Sequence, residues 1–323
     1  MKIVFLLPSL NFSGGVKAVI QIANGLKEKG HDVSIYAPRF PERSWHVNFG
    51  WKLKYIEPKV PVVMYISNIQ IPKNVDIIIA TSWETAYTLD QLYEKRKDFV
   101  PVYFIQHIET WDYYNTNEMS ENDHLALNTY TFPFHKIITS DWLAKYVCTP
   151  YKVPMGIEPV PDIPESEWRN PFYRENPIIV GILRGIPWKG DDIILKLAEE
   201  YPIQTYKNLS NEVLDSVLWR ADIFISASLV EGFNLPVLEA MAHGCCCIST
   251  DVGAVREYSN NYIGVLLADR NSRGFSMVLD HLQKNPEDIR EISGIAKELS
   301  KEWTIQRTID KFEDVLKDVT RQK

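Results

Sequence analysis

The first forty residues already restrict the fold. "KIVFLL", from Lys2 to Leu7, is a continuous apolar run, as expected of a strand buried on both faces. "PSLNFSGG" is a loop ending in two glycines. "VKAVIQIANGLKEKG" then spaces Val16, Val19, Ile20, Ala23 and Leu26 as one helical face, with Gly30 as its stop. "HDVSIYA" reads as a second strand. Strand, loop, helix and strand in that order form the unit from which parallel sheets are built.

The unit recurs. "VDIIIAT", "VPVYFIQ" and "KIITS" read as strands. A helix capped by Ser82 runs to about Lys97, "ENDHLALNTYTF" is a helix and "DWLAKYV" a short one. Residues 39 to 66 read as short strands and loops. Five prolines between Pro159 and Pro177, with little periodicity around them, mark a linker over 158–176. A second set follows, with strands "IIVGIL", "IQTY", "DIFIS", "CCIST" and "IGVLL". Its helices are "DDIILKLAEEY", "NEVLDSVLW", "PVLEAMAHG" and "NSRGFSMVLDHLQKN", and two more close the chain at about 286–300 and 303–319. The last carries a stripe of Trp303, Ile305, Ile309, Phe312 and Leu316. The expected domains are 1–157 and 177–301. Two doubly wound domains joined by a linker enclose a cleft, and ligands of such sheets lie beyond the carboxyl ends of strands.

Composition removes several function classes. The net charge is −7, with 42 Asp+Glu against 35 Lys+Arg, which disfavours nucleic acid as a partner. No apolar run reaches the length of a membrane span, and the early run before Pro8 lacks a signal peptide's cleavage site, so a soluble, cytoplasmic protein is expected. The four cysteines, Cys148 and Cys245 to Cys247, form no CxxC pair and read as small buried hydrophobes, not zinc ligands. No D-x-D occurs, so a metal-bridged diphosphate is not indicated; no cofactor is expected.

Four constellations carry chemistry. "SLVEGFNLPVLEAMAHG" sets Glu231 and Glu239 on either side of a strand-to-helix corner. Asn234 can cap the helix, with Leu235 or Pro236 in its first turn. The N–H groups from Gly232 through Phe233 and Asn234 to Leu235 then suit a phosphate, and carboxylates suit pairs of sugar hydroxyls. The same residues also fit a plainer reading, in which Glu239 complements the helix dipole and Glu231 is solvated. "LRGIPWKG" places Arg184 and Lys189 in the loop after a strand, two cations suited to a diphosphate or to a solvated surface. Gly14 and Gly15 in "SGGV" allow close backbone approach of a ligand, but GxGxxG is absent. His107, at the end of "VYFIQ", can hydrogen-bond a hydroxyl or a developing charge, or serve structure alone.

Taken together, these motifs resemble glycosyltransferase family 4, retaining enzymes of the GT-B fold. "EGFNLPVLEAMAHG" followed by "STDVGAVREY" is similar to that family's E-G-F-G-L-P-x-x-E-A-M-A-x-G signature. "RGIPWKG" resembles its diphosphate loop, "SGGV" its Gly-Gly loop, and "VPMGIEP" the segment entering its linker. Asn234 stands where the family has glycine, Leu183 for another glycine, Met155 for asparagine and Cys246 for proline. "QHIETWDYY" is somewhat similar to a subgroup that includes bacterial rhamnosyltransferases. The resemblance implies an α/β fold of the GT-B type, with two Rossmann-like domains facing across a cleft. It also implies a last helix (302–323) returning to the N-terminal domain. Activity would be retaining, metal-independent transfer from a nucleotide-diphosphate sugar to a saccharide or lipid-linked acceptor, with peripheral membrane contact allowed. Glu239 would hold the ribose, Glu231 and His107 the donor sugar, and Arg184 and Lys189 the diphosphate. A non-catalytic sugar-nucleotide binding protein, an epimerase on the same fold and a glycoside hydrolase are the alternatives.

Overall fold

The apolar run at the start is strand β1 (Lys2–Leu6), with Ile3, Phe5 and Leu6 fully buried. It pairs in parallel on both sides, with β2 (Asp32–Pro38) and β4 (Ile77–Ala80), which is why it has no polar face. In this computed structural model, residues 1–10, 13–39, 56–66, 69–161 and 177–322 are described. Most of the expected irregular stretch 39–66, and the linker beyond residue 161, lie outside them.

Unit 1 comprises Met1–Thr139, Leu143–Pro154 and Ile305–Lys323. With β3 (Val62–Tyr65), β5 (Val100–Ile105), β6 (His135–Ile138) and β7 (Tyr151–Lys152), its parallel sheet has the order β3-β2-β1-β4-β5-β6-β7. Helix α1 (Gly14–Glu28) starts at Ser13, whose Oγ accepts the Val16 N–H at 3.2 Å. Helix α2 (Trp83–Lys95) starts at a capping box formed by Ser82 and Thr85. Two shorter helices, α3 (Trp111–Thr116) and α4 (Glu121–Asn128), follow β5; both begin on the buried Asp123 carboxylate, which accepts the Tyr113 N–H at 2.8 Å and the Ser120 N–H at 3.0 Å. The expected helix in "DWLAKYV" is only a short turn, Leu143–Lys145.

Unit 2 comprises Ser140–Trp142 and Met155–Thr304. Its strands are β8 (Ile179–Leu183), β9 (Ile203–Lys207), β10 (Ile223–Ser226), β11 (Cys246–Ser249) and β12 (Val265–Leu267). All run parallel in the order β12-β11-β10-β8-β9. Helices α5 (Asp191–Leu197), α6 (Asn211–Arg220), α7 (Leu235–Ala242), α8 (Val255–Tyr258), α9 (Ser272–Lys284) and α10 (Pro286–Ser300) connect and flank them. Cys246 packs into a core with Ile179, Ile194, Ile248 and Phe275, and burial pushes its thiol up to about 12. Cys247, next along the strand, reaches Val237 O instead. These thiols are inert packing groups.

Helix α11 (Ile305–Arg321) belongs to unit 1. Phe312 is fully buried, its ring 5.1 Å from Phe104 and 6.1 Å from Phe5, while Ile309 packs on Gly25 of α1. Glu313 anchors the same face through His31 at 2.9 Å and Lys29 at 3.0 Å, and these partners with Lys317 hold its carboxyl down at about 2. Trp303 is not part of this stripe. Its carbonyl accepts the Ile157 N–H at 2.9 Å and Thr304 bridges Ile157, so the chain is still extended there. Its ring lies 5.9 Å from Phe233 in unit 2. The two units divide at 154/155 and 304/305, with residues 140–142 grouped into unit 2.

Candidate active site

The strand order of unit 2 reverses between β8 and β10, and doubly wound sheets bind ligands beyond the carboxyl ends at such a reversal. Both motifs of this unit begin there. β8 runs into a turn, Pro187–Lys189, which Gly190 closes with φ +76°. A Cβ on Gly190 would stand 2.3 Å from Ala227 O, so only glycine lets this loop lie against the end of β10. The Leu229 N–H donates to Trp188 O at 2.7 Å. Arg270 ties the loops together from beyond β12, donating to Ala227 O at 3.1 Å and to Pro187 O at 3.4 Å.

This stitching brings an ammonium onto a carboxylate. Lys189 Nζ lies 2.6 Å from Glu231 Oε1, and Ser228 Oγ donates to the same oxygen at 2.7 Å. Thr250 Oγ1 in turn donates to Ser228 O at 2.6 Å. Glu231 is buried, so it is not a solvated surface charge, and a buried carboxylate needs such partners. Arg184 has an exposed side chain, and its backbone N–H donates to Asp191 at 3.0 Å.

The corner between β10 and α7 is held by its carbonyls. Gly232 O accepts from Ser140 Oγ at 2.7 Å, Phe233 O from the Ala254 N–H at 3.1 Å, and Asn234 O from Tyr258 OH at 3.1 Å. In a trans peptide the next N–H points opposite to the carbonyl. The amides of Phe233, Asn234 and Leu235 are therefore turned away from those partners. Asn234 does not cap α7 as the sequence suggested. It stands at the N-cap position with φ +67°, a left-handed geometry that asparagine tolerates, and its side chain makes no capping bond. That backbone swings the side chain inward, with Nδ2 3.5 Å from the hydroxyls of Ser226 and Ser249. The helix start keeps its amides for another acceptor, and Pro236 in the first turn has none to satisfy. Glu239 is the fifth residue of α7, partly buried and a turn beyond Leu235, past the range where a carboxylate complements the dipole well.

Unit 1 reverses its strand order between β1 and β4. A Cβ on Gly15 would touch the Gln106 amide at 3.5 Å, while one on Gly14 would meet nothing within 4 Å. His107 follows β5, with Nδ1 2.6 Å from Ile108 O. A carbonyl only accepts, so Nδ1 is the donor in this contact. Two residues on, Glu109 Oε2 accepts the Trp83 N–H and Tyr103 OH, each at 2.8 Å. Burial pushes its carboxyl up to about 8, partly offset by the Tyr103 bond. Gly14, Gly15 and His107 thus belong to one unit, and Arg184, Lys189, Glu231, Gly232 to Leu235 and Glu239 to the other.

Sequence reasoning missed Ser228, Arg270, Trp303 and Glu109. Ser228 lies inside the quoted motif, but its role needs the β10 register. Arg270 and Trp303 act from distant segments and carry no local signal. Among the described residues, no three of His, Cys, Asp and Glu gather closely enough to hold a metal ion, and no helix is long and apolar enough to cross a membrane.

Residues 176–299 match the family model described as glycosyl transferases group 1. Trehalose synthase of Pyrococcus horikoshii is 31% identical over 127 residues, 38% of this chain and 30% of that protein. The chain thus spans under a third of that relative's length. Sucrose-phosphate synthase of Thermosynechococcus elongatus superposes with a TM-score of 0.80 at 14% identity, covering 100% of both chains. The Anabaena protein HepE in complex with UDP gives 0.76 at 13% identity, over 98% of this chain and 100% of that one. The chain has the two-domain α/β GT-B fold, and over residues 176–299 it is similar to glycosyl transferases group 1.

Proposed function

We propose that the protein is a retaining glycosyltransferase that moves a sugar from a nucleoside-diphosphate sugar to a saccharide or lipid-linked acceptor without a metal ion. The observation that carries this reading is the Lys189–Glu231 contact of 2.6 Å beside the uncapped start of α7. It joins a cation for phosphate, a carboxylate for hydroxyls and a row of amides at one strand edge. The Anabaena neighbour has also been solved with UDP-glucose, which supports the donor class.

In this reaction the bond from the anomeric carbon to the phosphate oxygen breaks, and a bond to the acceptor oxygen forms on the same face. The acceptor's proton passes to the leaving phosphate oxygen. Negative charge builds on the diphosphate, where Arg184, Lys189 and the amides of Phe233 to Leu235 neutralise it in place. Glu239 takes the ribose hydroxyls. Glu231 exchanges Lys189 for hydroxyls of the donor sugar. His107 contacts the donor sugar through a hydrogen bond to a hydroxyl. Retention and the ribose assignment come from the family resemblance. The test is a transfer assay with UDP-, ADP- and GDP-sugars, with and without chelator. Transfer with anomeric configuration kept in chelator is expected. A requirement for added metal, inversion, or sugar release from a substrate without nucleotide would overturn the reading.

A further inference from the structure

β8 and β9 run side by side in a register that sets Leu183 level with Lys207, the last residue of β9. Arg184 follows Leu183 directly, so a second cation stands at the adjacent strand end. Gly185 then turns the chain with φ +69°. A Cβ on Gly185 would stand 3.1 Å from Lys207 Nζ and 3.4 Å from its Cε. The ammonium therefore lies over the glycine of the "RGIPWKG" loop, in space that any side chain at 185 would contest. Arg184 and Lys207 are both exposed.

The backbone amides of Arg184, Gly185, Lys189 and Gly190 are already used. The N–H groups of Arg184 and Gly185 donate to the Asp191 carboxylate at 3.0 and 2.6 Å. Asp191 is occupied in holding the turn, and Glu231 is paired with Lys189. A glycine-rich phosphate loop usually cradles its anion with such amides. In this loop those amides are taken, while Lys207 lies over its glycine, Arg184 stands at the neighbouring strand end and Lys189, balanced by Glu231, sits in its turn. The two cations at the ends of β8 and β9, Arg184 and Lys207, are both exposed and suit an anion placed between them.

We propose that Lys207 binds the phosphates of the nucleotide, as a third cation beside Arg184 and Lys189. This rests on the nucleoside-diphosphate reading above. A lysine ammonium is a compact charge with three rotatable donors and suits phosphate oxygens whatever base is attached. Its contribution is therefore independent of the base and weakened by salt.

The test is the affinity of the full chain for UDP, ADP and GDP by calorimetry, at low and high salt. Lys207→Gln should lose about tenfold for every nucleotide bound by the wild type, the order expected for a charged hydrogen bond. Its affinity should also depend less on salt. Lys207→Arg should keep most of the affinity. A glutamine variant that binds as well as wild type would overturn the role of Lys207 and leave the nucleotide reading standing. A loss for one base alone would overturn the phosphate assignment, and so would an arginine variant as weak as the glutamine one. A wild type that binds none of the three would sink both.

Discussion

The two strand edges of this molecule are built on the same plan and equipped differently. In unit 2 the residues at the reversal are charged and in contact: Lys189 meets Glu231, and Arg270 laces two loops together. In unit 1 the corresponding edge presents glycines, an amide and an imidazole, and its carboxyl, Glu109, is pushed up to about 8 by burial. One edge is suited to a polyanion held by fixed charges. The other suits neutral hydroxyl-bearing groups, which need room and single hydrogen bonds. A shared fold thus says little about ligand until the residues at the strand ends are compared.

The largest expected effect concerns how each unit is closed. Unit 1 borrows α11 from the end of the chain, and Phe312 fills the space between Phe5 and Phe104. Phe312→Ala should cost about 3–5 kcal/mol in equilibrium unfolding, the range for truncating a buried aromatic. A loss below about 1 kcal/mol would mean that α11 is a loose cover.

Next comes the charged edge. Lys189→Met should lower transfer about 10²–10³-fold, as for loss of one preorganised charge stabiliser. His107→Ala should cost less, because one hydroxyl contact is lost. Equal losses at both residues would erase the proposed contrast between the edges. Arg184→Ala should weaken nucleoside diphosphate by about 1.5–3 kcal/mol, the range for hydrogen bonds to a charged group. Unchanged affinity would place the phosphates elsewhere.

The smallest effect separates the carboxyls by pH. Glu109 has a folded pKa near 8 against 4.5 when free, so the folded state holds the extra proton in that window. Its stabilisation is complete below 4.5, declines by at most about 1.4 kcal/mol per unit as pH rises, and is gone beyond 8. Glu109→Gln should therefore flatten the fall in melting temperature from pH 6 to 8. Glu313, held down at about 2, acts in the opposite sense: its contribution is present above 4.5 and lost as pH falls towards 2. A Glu109→Gln profile parallel to wild type over pH 6–8 would show that the carboxyl is ionised throughout.

Much of the fold was readable because parallel strands buried on both faces leave unbroken apolar runs, as in Ile77–Ala80 and Cys246–Ser249. The motif around Glu231 was readable for a similar reason: strand end, loop and helix start are contiguous in sequence. Trp303 was misplaced because its spacing continues the apolar stripe of α11, and only the extended pairing with Ile157 takes it out of the helix. Asn234 was given a cap because its residue type favours one, but its left-handed φ directs the side chain elsewhere. Lys207 and Arg270 reach the site only through strand order, which no local pattern encodes.

The central claim is that the carboxyl edge of unit 2 holds the nucleoside diphosphate. Hydrogen exchange read by mass spectrometry, with and without saturating UDP in chelator, tests it most directly. The account predicts slower exchange in peptides covering 184–190 and 228–239, with those covering 13–20 and 103–110 unchanged. Protection confined to the unit 1 peptides, or none in the unit 2 peptides although UDP binds, would contradict it.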